Sequence, residues 1–184
     1  RLLRAGKYES AVLKAGEGKI RIETGLRRKD TTIWRLEKIA QAKNAKSNII
    51  DQYYTLCLFR SFWKLEDFIL YMERDRPQAK RFYLPRRKIL YKHAKALERL
   101  YSREIDELFL SQPPRTGKST LITMFYTWVF GKDSEHSNLY CSVTDDLTKA
   151  FYKGLLEIMQ DNFTYHWNTI YPNAKIVATD GDKE

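Results

Sequence analysis

The sequence predicts an α/β protein in which a mainly α-helical N-terminal region precedes part of a parallel sheet. Three observations lead there. After Ser102, short apolar runs alternate with helical stretches, in the strand–helix–strand–helix–strand order of a right-handed parallel sheet. The loop between the first run and its helix carries a sequence suited to holding phosphate. From Ile33 to about Tyr101, apolar residues recur at steps of three and four, the helical spacing. The expected division is a basic, mainly helical region over residues 1–77 and the front of an α/β domain over 78–184.

Taken in order, residues 1–28 read as irregular, with a short strand, Lys19–Glu23, between glycines. From Asp30, a candidate N-cap, Ile33, Leu36, Ile39 and Ala40 follow helical spacing. A longer helix is expected from about Ile49 to Glu73, with a core stripe of Leu58, Phe62, Leu65, Ile69 and Met72. Pro77 and Pro85 bracket a linker, and a third helix is expected over Arg87–Ser102. On that helix His93 reads as a packed or capping histidine rather than a catalytic one. Leu108-Phe109-Leu110 suits a buried strand. The loop Gln112–Gly117 leads into an apolar helix ending near Phe130, and Asn138–Val143 is the second strand candidate. Thr144 is placed to cap the next helix, with Asp145 and Asp146 in its first turn and Leu147, Phe151, Leu155 and Ile158 as its apolar face. Ile176-Val177-Ala178 is read as the start of a third strand.

Charge is uneven along the chain. The formal net charge is +10, but residues 1–100 carry +14 and residues 101–184 carry −4. The basic half includes Arg27-Arg28-Lys29 and Arg86-Arg87-Lys88, a footprint suited to a polyanion such as nucleic acid. Cys57 and Cys141 form neither a disulfide framework nor a metal site with the three scattered histidines, and both sit in apolar patterns that suggest buried thiols of a reducing compartment. The longest nearly apolar stretch, Leu121–Phe130, falls far short of the roughly 20 residues that span a bilayer. No membrane association is expected.

The chemistry sits in Gln112-Pro113-Pro114-Arg115-Thr116-Gly117-Lys118-Ser119-Thr120. Against the pattern G-x-x-x-x-G-K-[ST], only the first glycine is missing, and Gln112 stands there. Gly117 lets the backbone approach a phosphate. Successive N–H groups at a helix N-terminus supply partial positive charge. Lys118 adds a full charge near the β- and γ-phosphates, and the Ser119 hydroxyl suits Mg²⁺. The implied cofactors are ATP and Mg²⁺, and the implied fold is the partial parallel sheet of a P-loop NTPase. Arg115, held next to two prolines, is placed to swing towards a γ-phosphate or a neighbouring subunit's acidic group, with a salt bridge to Glu104, Asp106 or Glu107 as the structural alternative.

Pro113-Pro114-Arg115-x-Gly117-Lys118-Ser119 resembles the variant phosphate-binding motif of the large terminase subunit of tailed bacteriophages and prophages. Ile105–Leu108, the helical Ala94–Glu98 and the Tyr140–Leu147 block extend that resemblance, which covers about Leu58 to Pro172. It implies an ATP-hydrolysing motor that drives double-stranded viral DNA into a procapsid in the host cytoplasm. The implied partners are double-stranded DNA, a portal protein and a small terminase subunit, with a homo-oligomeric ring as the working assembly. Lys118 and Arg115 take the catalytic roles in that reading. Tyr83 and Arg86, upstream of the loop, are the candidates for holding the adenine.

The resemblance has gaps. Ile176–Asp180 ends in Asp without a following Glu, so no Walker B segment stands out, and no nuclease domain of RNase H type is represented. The chain therefore reads as the front portion of a longer protein. Other readings are a helicase or small-molecule kinase built on the same loop, and a non-catalytic DNA-binding module switched by nucleotide.

Overall fold

A computed structural model of the chain describes residues 47–133, 137–161 and 163–176. The chain divides into two compact units between Arg74 and Asp75. The helix expected from Asp30 and the strand at Lys19–Glu23 lie outside the described residues.

In the first unit, helices α1 (Ser47–Ser61) and α2 (Leu65–Met72) pack against each other. The single helix expected over 49–73 is thus two, broken at Phe62–Lys64. The cause is local. The Trp63 and Lys64 N–H groups both bond the Arg60 carbonyl at 2.9 Å, and Ser61 Oγ turns back to the Leu58 carbonyl at 2.6 Å, a competitor of the helical ladder. Lys64 is extended, with φ −121° and ψ 114°. Arg60 Nε then reaches across the turn to Asp67 Oδ2 at 2.7 Å, and Glu66 and Asp67 place negative charge in the first turn of α2, where the helix dipole favours it. All of α2 is buried, including Leu65, Ile69 and Met72 of the expected stripe, while Leu58 and Phe62 are half-buried.

The second unit holds a 3₁₀ turn, Gln78–Lys80, and helices α3 (Tyr83–Tyr101), α4 (Lys118–Lys132), α5 (Asp145–Gln160) and α6 (Trp167–Ile170). α3 begins earlier than expected because Pro85 falls within its first turn, where a missing N–H breaks no ladder bond. α4 packs on both α3 and α5, and α5 on α6. The core is made of Leu90, Ala94 and Leu97 from α3, Leu121, Met124 and Trp128 from α4, and Leu155 and Ile158 from α5, with Trp167 and Tyr171. Thr144 caps α5 as expected, its hydroxyl accepting from the Leu147 N–H at a long 3.4 Å. Leu147 itself is 55% exposed and Phe151 half-buried, so the apolar face of α5 starts a turn later than expected.

The parallel sheet is not there. Among the described residues there is no β-strand, which overturns the predicted P-loop NTPase sheet. Leu108–Leu110 and Asn138–Val143 run without regular structure. Leu108–Leu110 keeps the alternation of a strand, with Leu108 and Leu110 lining a cleft and Phe109 90% exposed, whereas in Asn138–Val143 only Tyr140 packs inward. A strand needs a hydrogen-bonded neighbour as well as an alternating pattern, and neither segment has a ladder. Ile176 is likewise not in a strand, and Val177 and Ala178 lie outside the described residues. Cys141 is exposed, contrary to expectation, because it sits on the outer side of one of these segments; Cys57 is buried.

Candidate phosphate-binding loop

The loop Gln112–Gly117 enters α4 through two left-handed residues, Arg115 at φ 62° and Gly117 at φ 94°. Gly117 is the N-cap of α4, and its carbonyl accepts the first helical bond, from the Leu121 N–H at 2.9 Å. The N–H groups of Lys118, Ser119 and Thr120 therefore have no partner within the helix and carry the positive end of its dipole. Lys118, Ser119, Thr120 and Arg115 are all exposed beside them. Nothing acidic stands in the first turn of α4.

Gly117 is favoured by its φ, and the space beside it is also tight. A Cβ there would meet Phe82 Cδ2 at 3.3 Å, Leu90 Cδ1 at 3.5 Å and Arg86 Cδ at 3.7 Å. One face of α3 and its N-cap thus form the bed on which the loop rests. Arg86 lies in that bed, its Nη1 donating to the Phe82 carbonyl at 3.2 Å. Tyr83 is fully buried and presents no face for a base to stack upon; of the two adenine candidates, only Arg86 is brought to the loop. α3 also carries Arg86, Arg87 and Lys88 in its first two turns with no acidic residue in the first. The helix dipole disfavours cations there, so an anion from outside would relieve that repulsion.

Within the loop, the Thr116 hydroxyl lies 2.9 Å from the Pro113 carbonyl and 3.1 Å from Gln112 Oε1. Gln112 in turn bonds His93 on α3. Pro113 and Pro114 are exposed, and fix the backbone before the turn. Arg115 makes no ion pair with Glu104, Asp106 or Glu107 among the described residues; Glu104 is held by Arg99 and Ser102 instead. Behind Lys118 and Ser119 opens a cleft of about 390 Å³, walled by Leu108, Leu110 and the stacked pair Tyr140 and Phe151, whose rings lie 3.8 Å apart and 8° from parallel.

The Ser119 and Thr120 hydroxyls are both exposed in the first turn of α4, next to its free N–H groups. Among the described residues no three His, Cys, Asp or Glu side chains gather in a metal-binding group, so Mg²⁺ at Ser119 would take its other ligands from phosphate and water. Sequence reasoning found the loop and its helix from the glycine–lysine–serine run. It missed Phe82, Leu90 and His93, which act through the fold of α3 and leave no mark in the motif; the one signal was a glutamine where the pattern has glycine. Comparison with protein-family models, curated proteins and solved structures finds no match to this chain.

Proposed function

We propose that this chain binds the phosphates of ATP, with Mg²⁺, at the N-terminus of α4, and serves as the ATPase portion of a motor that packages double-stranded DNA. The observation that carries the phosphate site is Gly117: its left-handed backbone opens α4 directly at Lys118, leaving N–H groups, an ammonium and a hydroxyl exposed together. A γ-phosphate seated there would be held by Lys118, while Arg115, on the preceding left-handed turn, would meet charge as it develops on transfer. Bound Mg²⁺ would neutralise the phosphate oxygens beside Ser119. The DNA role, with a portal protein, a small terminase subunit and a ring assembly, draws on the terminase resemblance and on the +14 charge of residues 1–100.

Titration with a fluorescent ATP analogue and Mg²⁺ tests the site. Lys118→Ala is expected to weaken binding at least about tenfold, the scale of a lost charge-assisted contact. Wild-type affinity in a folded Lys118→Ala protein would sink the reading. For the DNA arm, binding without sequence preference should collapse between about 50 and 200 mM salt, as counterion release demands.

A further inference from the structure

A chain of hydrogen bonds runs from α3 into the loop. His93 Nδ1 lies 2.9 Å from the Ile89 carbonyl, one turn back on α3. A carbonyl only accepts, so Nδ1 carries the hydrogen and Nε2 is left as an acceptor. Gln112 Nε2 lies against the ring, 2.8 Å from that Nε2 and 2.9 Å from Nδ1; of the two nitrogens only Nε2 can accept from the amide NH₂. The other end of the same amide, Oε1, stands 3.1 Å from the Thr116 hydroxyl, whose single hydrogen it shares with the Pro113 carbonyl at 2.9 Å. These contacts join Thr116, Gln112, His93 and the Ile89 carbonyl into one polar cluster that ties the loop to α3.

Gln112 and Thr116 flank the turn that contains Arg115, and Thr116 directly precedes Gly117. Arg115 and Gly117 both hold positive φ, a conformation that costs an arginine energy and persists only where its surroundings enforce it. The side chain of Gln112, in the place where the phosphate pattern has a glycine without one, anchors this turn to α3. Phe82 and Leu90 fix the same loop by packing under Gly117, but packing has no donor to orient; the His93 bond does.

We propose that His93 is a positioning residue of the phosphate loop: through the Gln112 amide and the Thr116 hydroxyl it holds the backbone at Arg115–Lys118 in the conformation that receives phosphate. The assignment rests on the nucleotide reading above and extends it to a residue nineteen positions before Gln112, where the motif begins. His93 touches no phosphate in this role.

The test uses the full chain and two readouts, hydrogen exchange of the amides of residues 115–118 and affinity for the fluorescent ATP analogue with Mg²⁺. His93→Ala and Gln112→Ala should each speed loop exchange and weaken the analogue about fivefold, the scale of one lost hydrogen bond. The double variant should be no worse than either single one, because both break the same link. His93→Gln, which keeps an amide donor and acceptor on the same face, should return both readouts to within about twofold of wild type. Unchanged exchange and affinity in the single variants, additive losses in the double, or, where Lys118→Ala weakens the analogue, faster exchange with unchanged affinity would each overturn the proposal. Equal binding of the analogue by wild type and Lys118→Ala would sink the nucleotide reading by itself. The exchange arm then decides the His93 assignment alone: loop amides as slow in His93→Ala as in wild type overturn it, and faster ones uphold its hold on the loop.

Discussion

The ring of Tyr171 occupies the space that any side chain at Gly131 would need: a Cβ built on Gly131 falls inside the ring's contact distance. The Tyr171 hydroxyl donates to the Trp128 carbonyl at 3.3 Å, and Trp167 Nε1 to the Thr127 carbonyl at 2.9 Å. The segment around α6 is thus seated on the last turns of α4 through a glycine-sized notch. Helix propensity alone favours alanine over glycine by about 1 kcal/mol. The notch reverses that sign. Gly131→Ala should destabilise the protein by roughly 1–3 kcal/mol, the cost of overpacking, as measured by chemical denaturation. In a Tyr171→Ala background, the same substitution should become neutral or stabilising. Destabilisation that persists there would place its cause elsewhere.

The two thiols should separate cleanly. Cys57 is fully buried on α1, and burial, aided by the nearby Asp67 charge, pushes its pKa well above the ordinary value. The thiolate is the reactive form, so Cys57 is shielded twice, by access and by charge state. Cys141 is exposed. A thiol-reactive chromophore at neutral pH should titrate Cys141 alone in the native protein and both cysteines in denaturant. Mass mapping that found native label on Cys57 would show that α1 opens readily.

Asp161 ends α5 and begins the turn to Tyr165. Its Oδ1 accepts from the Thr164 N–H at 2.9 Å and the Phe163 N–H at 2.7 Å, and these backbone bonds, the Thr164 one foremost, hold its carboxyl below the ordinary 3.8. A depressed pKa in the folded state means that the ionised form supports the fold. That support is complete above the unfolded pKa and is lost as pH falls through the lower folded one. A carboxyl-carbon NMR titration should therefore give Asp161 a midpoint below 3.8, and Asp161→Asn should flatten the stability curve in that acid range. A midpoint at or above the ordinary value would mean that the turn does not hold its carboxylate.

What was legible in the sequence was what is local. The start of α4 at Lys118 follows from a glycine that admits positive φ, and the start of α5 follows from Thr144 with two acidic residues behind it. The alternation of Leu108, Phe109 and Leu110 was also legible, and the chain does place alternate residues in the cleft and in solvent. Pairing was not, because a ladder depends on a second segment far away in sequence, which no pattern within the first can guarantee. The break at Phe62–Lys64 was hidden for the opposite reason: the apolar stripe runs through it unchanged, and only the Ser61 and Arg60 side-chain bonds reveal it. Gly117, Lys118 and Ser119 stand at the start of α4, while Tyr83 is drawn into the core by the early start of α3. The His93–Gln112 bond joins positions nineteen apart and could be read only once α3 and the loop had been laid side by side.

Gly117 and Arg115 share a left-handed backbone but should respond to substitution in opposite ways. At Gly117, with φ 94° and Phe82 at 3.3 Å from a would-be Cβ, alanine brings both backbone strain and a tight contact. Gly117→Ala should cost roughly 1–2 kcal/mol of stability and displace the N–H groups that open α4, weakening nucleotide binding in parallel. At Arg115, with φ 62°, the native residue already bears that strain, and glycine relieves it. Arg115→Gly should therefore leave stability unchanged or raise it by about 1 kcal/mol, even though glycine also loosens the unfolded chain. Arg115→Ala keeps the strain and removes only the guanidinium, so it isolates the chemistry. In an assembly that turns over ATP, it should hold nucleotide affinity within about tenfold, or 1.4 kcal/mol, while turnover falls by about two orders of magnitude or more, the range for an arginine that meets charge in the transition state. An exposed arginine with no ion pair to Glu104, Asp106 or Glu107 is free to take that part. Denaturation curves and single-turnover kinetics on the three variants measure both sides of the contrast. Normal turnover in Arg115→Ala would reduce the side chain to a bystander, and a loss of stability in Arg115→Gly would mean that the arginine braces the turn it strains.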